Sequence, residues 1–222
     1  MTFYIDTADI KIIKENISHN FCDGVTTNPS ILSKIENLDY YDHLKKIKTL
    51  CKKNNKSLSI EVTTNDKTKI LEEALSLKKK FNFKRLHIKI PVSQDNLSLI
   101  KSIHKNKMKV NVTCVYTLAQ GYLSADSYAD YISIFYNRTK DLGEEPKKII
   151  TNLRKYIDQN NLKSKIIVGS IRSRQDVEDG IACGAHIITV PPKIFFEIFN
   201  NDGTLNSINQ FLDDIKKIQK RN

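Results

Sequence analysis

Short runs of β-branched and aliphatic residues recur along the chain, and each is followed by a longer stretch whose apolar positions return with helical spacing. The runs Thr2–Asp6, Cys22–Asn28, Leu58–Thr63, Leu86–Pro91, Lys109–Tyr116, Tyr131–Tyr136, Ile166–Ile171 and Ile187–Pro191 predict strands. Helices are predicted over Ala8–Ile17, Tyr41–Lys53, Asp66–Lys80, Gln94–His104, Leu118–Tyr128, Pro146–Asn160 and Arg174–Cys183, with a last one over about Leu205–Gln219. Regular alternation of this kind is the sequence form of a parallel α/β sheet. Eight strands, each with a following helix, predict a closed (β/α)₈ TIM barrel. The alternative, an open doubly wound sheet, lacks the glycine-rich turn that binds a dinucleotide. No linker or low-complexity tract interrupts the pattern. The chain therefore reads as one barrel domain over 1–222, with about 203–222 as a C-terminal helical extension.

Composition narrows the class. A hydrophobic share of 40% and a charged share of 27% in 222 residues are those of a globular protein with one sizeable core. No apolar run reaches the length of a membrane span, and Thr2-Phe3-Tyr4-Ile5-Asp6 has no signal-peptide character, so a cytoplasmic protein without a membrane partner is expected. Cys22, Cys51, Cys114 and Cys183 are scattered and read as reduced thiols. His19, His43, His87, His104 and His186 are equally dispersed, and neither a metal nor another cofactor is expected. The net charge of +11 raises nucleic acid as a partner. However, the lysines are spread in short groups such as Lys45-Lys46, Lys52-Lys53 and Lys78-Lys79-Lys80, with no stacking aromatics between them. Their linear arrangement reads as surface composition, and no nucleic-acid partner is expected from it.

Lys89 changes the picture. It stands in the apolar strand Leu86-His87-Ile88-Lys89-Ile90-Pro91, on the opposite face from Ile88 and Ile90. Taken alone, a lysine there marks a solvated strand face or a side chain that snorkels to the rim. Held away from water, a lysine is a nucleophile for carbonyl carbons. In a barrel, chemistry collects at the C-terminal strand ends, and those ends carry a coherent polar set. They are Asp6, Thr26-Thr27-Asn28-Pro29-Ser30, Glu61, Lys89, Asn111 with Thr113, Ser133 with Phe135, Asn137 and Arg138, and Ser170 with Arg172. A lysine that forms an imine, carboxylates that move protons, hydroxyls and amides that hold a polyol and arginines that grip a phosphate describe a carbonyl lyase or transferase. Each has a bland reading. Asp6 could cap a helix, Asn28-Pro29-Ser30 could be a turn and helix start, Glu61, Arg138 and Arg172 could be surface charges, and Phe135 could fill core.

The motifs Asp23-Gly24-Val25-Thr26-Thr27-Asn28-Pro29-Ser30, Ile88-Lys89-Ile90-Pro91 and Asn111-Val112-Thr113 resemble the transaldolase and fructose-6-phosphate aldolase family, in its short-chain branch. The resemblance runs from Phe3 to about Pro191. It implies a (β/α)₈ barrel and metal-free transfer of a dihydroxyacetone unit, with Lys89 attacking the ketose C2 carbonyl. It implies that Asp6 takes the C4 hydroxyl proton as the C3–C4 bond breaks, and that Glu61 and Thr113 position a water. Asn28 and Asn111 would bind hydroxyls of the three-carbon unit, Thr26 and Ser133 would line the pocket, and Arg138, Ser170 and Arg172 would hold the sugar phosphate. Sugar phosphates are the partners implied, together with a homo-oligomer, pentamer or decamer, in which the helix after Asp202 reaches across subunits.

Two activities share this resemblance. Val115-Tyr116, Ala119-Gln120-Gly121 and Tyr136-Asn137-Arg138 are similar to the aldolases, which release free dihydroxyacetone. The aldolases typically carry glutamine at the position of Glu61 and tyrosine at that of Phe135, and lack an amide at that of Asn111. Residues near the reacting carbon bear on chemistry more directly than loops, so transaldolase is the preferred reading. A non-catalytic phosphate- or nucleic-acid-binding barrel is the remote alternative. His87 departs from the family pattern; it reads as a hydrogen-bonded core histidine, and less readily as a charge acting on Lys89. Arg174 adds a second arginine beside Arg172.

Overall fold

The computed structural model describes residues 1–220; positions 221–222, at the end of the expected extension, lie outside the described residues. Strands β1 (Thr2–Asp6), β2 (Cys22–Thr26), β3 (Ser57–Glu61), β4 (Leu86–Pro91), β5 (Lys109–Val115), β6 (Tyr131–Phe135), β7 (Lys165–Gly169) and β8 (Ile187–Val190) close into a parallel barrel in sequence order. The closed (β/α)₈ barrel is therefore the fold, and the open sheet is excluded. The outer layer comprises α1 (Ile10–Ile17), α2 (Pro29–Leu32), α3 (Tyr40–Lys53), α4 (Lys67–Phe81), α5 (Gln94–Lys105), α6 (Leu118–Asp126), α7 (Tyr136–Asp141), α8 (Pro146–Gln159), α9 (Arg174–Ala182) and α10 (Pro192–Phe199). The long α11 (Asp202–Gln219) follows.

Alternation along the strands sorts two environments. Leu58, Ile60, Ile88, Ile90, Val110 and Val112 are buried in the core that joins strands to helices. Full burial of each such side chain contributes about 1.5–3 kcal/mol. Their neighbours Ser57, Ser59, His87, Lys89, Asn111 and Thr113 take the other face, and all are buried although polar. The barrel interior is thus polar on this side, and its groups must find partners there.

Helix starts lie on the rim formed by the strand C-termini, and short polar side chains cap them. The Asp9 carboxylate accepts from the Lys11 and Ile12 amides, so Asp9, and not Asp6, starts α1. Asn28 caps α2, with its side-chain oxygen accepting from the Ile31 amide at 3.0 Å. Helices α2, α7 and α10 add to the predicted set, α2 at the helix start that Asn28-Pro29-Ser30 offers. In each case an asparagine, an aromatic or a proline run reads as a strand end, whereas Pro29 and Pro192 sit at first-turn positions where a missing amide does no harm. The segments at Asn28, Ser170 and Tyr136 accordingly leave their strands earlier than the sequence suggests.

Below Lys89 the barrel is floored by Tyr4, Ile167 and Ile187, with Tyr131 packed against them. The Tyr4 and Tyr131 hydroxyls lie 3.0 Å apart. Gly24 makes this possible, because a Cβ there would meet the Tyr4 ring at 2.7 Å. His87 stacks on Tyr131 at a centroid distance of 4.0 Å, and its Nδ1 lies 3.1 Å from Ser57 Oγ. Burial, with the Lys109 charge adding to it, pushes His87 down to about 3. Buried, stacked and hydrogen-bonded, it fits a neutral core histidine and speaks against its acting as a charge on Lys89. No described helix is long and apolar enough to cross a membrane.

Candidate active site

The register of three adjacent strands builds the centre. Glu61 pairs in register with Lys89, and Lys89 with Asn111, so three neighbouring strands set their polar side chains side by side. Lys89 Nζ lies 3.1 Å from Glu61 Oε2 and donates to the Thr27 carbonyl at 3.1 Å. Lys89 is only 4% exposed, and that burial separates it from an ordinary surface lysine. Asn111 is held at both ends: its amide donates to Ser59 Oγ at 3.2 Å, and its carbonyl oxygen accepts from Ser133 Oγ at 2.7 Å. Beyond it on β5, Thr113 Oγ1 is buried without a hydrogen-bond partner among the described residues. A buried hydroxyl left unpaired in a polar site is a ready contact for a water or a substrate oxygen. Just past Thr113 the β5–β6 register shifts and Cys114 takes φ 59°, so the strand bends as it reaches the rim.

On the other side, β1, β2 and β8 form a directed relay. Thr26 Oγ1 donates to Asp6 Oδ1 at 2.6 Å. Its one proton committed, Thr26 accepts from Thr189 Oγ1 at 2.5 Å. Burial pushes the Asp6 carboxyl above its ordinary value of 3.8; the Thr26 hydrogen bond and the Lys89 and Arg138 charges oppose it. Such a carboxyl is suited to accept and return a proton.

A narrow cavity of about 60 Å³ opens over these groups, lined by Asp6, Thr26, Asn28, Lys89, Ser133, Phe135, Arg138, Ile167, Gly169, Ser170 and Thr189. A larger groove of about 980 Å³ lies outside the barrel between α5 and α6, with Leu97, Leu123 and Tyr128 on its walls. It gathers no comparable set of nucleophile, carboxylates and hydroxyls, so the smaller cavity is the candidate active site.

Phe135 meets Tyr116 edge-on at 5.7 Å, and the Arg138 guanidinium lies over the Phe135 ring at 4.9 Å. Arg172 is turned differently. Its guanidinium forks onto the Asp141 carboxylate, with contacts of 2.9 and 2.5 Å, and it does not line the cavity. Arg174 pairs with Glu178 along α9. The loop carrying Ser170 is braced by buried Asp176, whose Oδ2 accepts from Asn137 Nδ2 and from the Arg172 and Ser173 amides. Asn137 Nδ2 also donates to the Ser170 carbonyl at 2.9 Å.

The structure thus brings together Lys89, Glu61, Asp6, Thr26, Asn28, Asn111, Ser133, Phe135, Arg138 and Ser170, places Thr113 beside them on β5, and leaves Arg172 at the edge. Thr189, Ser59 and Asp176 are additional. Thr189 lies in Ile187-Ile188-Thr189-Val190, where a lone threonine looks like strand filler, and alternation around a closed barrel is the signal that could have found it. Among the described residues, no cluster of three or more His, Cys, Asp or Glu could hold a metal.

The family model for Transaldolase/Fructose-6-phosphate aldolase matches residues 3–222. The chain belongs to that family. Relatives similar to it include a probable transaldolase of Geobacillus thermodenitrificans, 34% identical over 99% of this chain and 100% of the relative. Probable transaldolases of Streptococcus equi subsp. zooepidemicus and Streptococcus pyogenes serotype M5 are 33% and 34% identical over the same shares. Among solved structures, the thiamine phosphate pyrophosphorylase from Pyrococcus furiosus is similar with a TM-score of 0.61 at 12% identity, covering 86% of this chain and 85% of that one. That likeness concerns the barrel alone. Family and relatives make this chain an enzyme of the transaldolase type.

Proposed function

We propose that the protein is a Schiff-base transaldolase, which moves a dihydroxyacetone unit from fructose 6-phosphate or sedoheptulose 7-phosphate to an aldose phosphate. The observation that carries this reading is buried Lys89 in contact with Glu61 and in register with Asn111. The Lys89 amine adds to the ketose C2 carbonyl, and loss of water from the carbinolamine gives the iminium. Glu61 and the unpaired Thr113 hydroxyl hold that water. Asp6 takes the C4 hydroxyl proton as the C3–C4 bond breaks, which releases the aldose and leaves an enamine on Lys89. The acceptor aldehyde adds to the enamine carbon, the new alkoxide takes its proton back from Asp6, and water returns to free the product ketose. These steps use side chains alone, without a metal.

Asn28, Asn111 and Ser133 hold the hydroxyls of the three-carbon unit. Arg138 and Ser170 meet the phosphate, and Arg172 joins them when it leaves Asp141. Phe135 favours transfer over release, because it puts a ring and no hydroxyl beside the enamine. The four free cysteines agree with a cytoplasmic setting. α11 buries none of its residues while exposing Leu205, Ile208, Phe211, Leu212, Ile215 and Ile218. An apolar helix face of this extent supports a homo-oligomer, pentamer or decamer. Phe211→Glu with Ile215→Glu should then yield smaller species in sedimentation; an unchanged distribution would count against that assembly.

The decisive experiment incubates fructose 6-phosphate with and without erythrose 4-phosphate, using native protein and Lys89→Ala. Sedoheptulose 7-phosphate is expected only with acceptor and only with Lys89 present, and borohydride should trap a reduced adduct on Lys89. Free dihydroxyacetone without acceptor would instead make the protein an aldolase, and no adduct would remove the imine.

A further inference from the structure

In the linear sequence the lysines are dispersed, but folding gathers a large share of them at one place. Positions 52–56, 78–85 and 105–109 lead into β3, β4 and β5, three adjacent strands on the rim opposite the candidate site. These segments hold eleven lysines and arginines and no aspartate or glutamate. Among the described residues, Lys56 alone of them forms an ion pair, with Asp23 at 3.3 Å, while the Lys80 ammonium rests over the Tyr41 ring.

Helix ends attract cations, and this accounts for part of the pattern in the last turns of α3, α4 and α5. It does not account for the whole. The last turns of α6, α8 and α9 carry no basic residue. Lys56, Lys84, Arg85, Lys107 and Lys109 lie beyond the helix ends, where the dipole asks for nothing. With helices roughly 10 Å apart, three neighbouring units present an arc of about 20 Å.

The arc also has structure. Arg85 donates to the Asn55 carbonyl, and Lys78 to that of Asn106, which ties adjacent connections together. A cleft of about 470 Å³ lies within it, lined by Lys52, Asn55, Asn82, Phe83, Lys84 and Arg85. Cations, side-chain amides and one aromatic edge are the groups that meet phosphates and an unpaired base. An anionic bilayer fits less well, because no large apolar side chain is exposed in these segments.

We propose that this rim is a binding surface for single-stranded nucleic acid, held by phosphate contacts along the arc with a base received at the cleft. The surface lies away from the cavity over Lys89 and does not depend on the catalytic reading. It departs from the expectation drawn from the linear sequence because the contacts that matter come from three segments separated by 21 and 19 residues.

The test is fluorescence anisotropy of a labelled oligouridylate with full-length protein at about 50 mM salt and above. The triple variant Lys53→Glu/Lys84→Glu/Lys107→Glu should weaken binding by about tenfold or more, and lower the slope of log affinity against log salt by about two. A charge-matched control, Lys11→Glu/Lys148→Glu/Lys155→Glu on α1 and α8, should change affinity by less than about threefold. Lys→Gln versions of both triples should give the same ordering with smaller effects, and circular dichroism checks that each folds. Equal weakening by the two triples would overturn the proposal, as would no binding by native protein. Binding to phosphatidylserine vesicles that the rim triple abolishes, with the oligonucleotide ignored, would make the rim a membrane surface and overturn it too.

Discussion

Thr26→Val tests the proton chemistry most directly. The substitution keeps the shape of the side chain and removes the hydroxyl that donates to Asp6 at 2.6 Å. Hydrogen bonds to charged groups are worth about 1.5–3 kcal/mol, and that support is felt only by the ionised carboxylate. If ionised Asp6 is the base that takes the C4 hydroxyl proton, weakening the ionised form raises the pH at which activity appears. At 1.36 kcal/mol per unit, the acid limb of kcat/KM should move up by about one to two pH units. Thr189→Val leaves the Thr26–Asp6 bond in place and removes only the donor behind it, the 2.5 Å contact. Polarisation along such a chain is worth about 10–30% of a bond, so this limb should move the same way by only a few tenths of a unit. Thr26→Ser keeps the donor and should restore the native profile. The assay is the pH dependence of transfer from fructose 6-phosphate to erythrose 4-phosphate for all four proteins. An acid limb that stays put in Thr26→Val, or moves down, would refute the relay and the role given to Asp6.

The other predictions concern stability and the phosphate end. Because burial lifts the Asp6 carboxyl above 3.8, the fold keeps a proton that the unfolded chain has released, so stability falls as pH rises through that window and stays lower at neutrality. Asp6→Asn should therefore abolish cleavage yet raise the urea midpoint at pH 7, with the gain shrinking towards pH 3.8; no gain at neutrality would contradict the sign. His87, pushed from 6.5 down to about 3, cannot take the proton that the unfolded chain binds, so acid weakens the fold between those values. His87→Val should flatten part of that loss, cost about 0.5–1.5 kcal/mol at pH 7 for the lost Ser57 contact while Ser57 keeps the Arg85 carbonyl, and leave the acid limb of catalysis alone. A shifted limb would return His87 to the chemistry. Asp141→Asn should free Arg172 and lower KM for fructose 6-phosphate, within about fivefold, without helping unphosphorylated dihydroxyacetone as donor. Equal effects on both donors would show that Arg172 does not meet phosphate.

Lys89, Glu61 and Asn111 were legible in the sequence because a polar residue inside an otherwise apolar strand has few explanations, and barrel topology then puts the three side by side. Ser170 and Arg138 were legible because each follows closely on the end of a strand, although Arg138 lies in the first turn of α7. What the sequence hid were partners across long separations. Thr189 is 163 positions from Thr26, and nothing local distinguishes it from core threonine. Asp176 reads as one more acid in a helical first turn, yet it ties the Ser170 loop together. Arg172 has the right identity and place, and only side-chain geometry discloses that Asp141 occupies its fork. Helix α10 was lost to Pro191-Pro192, which punctuates a strand and begins a helix equally well.

On the proposed imine chemistry, the aromatic floor of Tyr4 and Tyr131, with His87 against it, would bear on the fate of the enamine. Those rings fill the barrel beneath Lys89, so acceptor sugar and water would both come to Lys89 from the cavity at the opposite end. Transfer and wasteful hydrolysis would then compete for one doorway. An aldose phosphate seated against Arg138 would be both the reactant and the stopper, and fidelity would turn on who stands in the opening when the first product leaves.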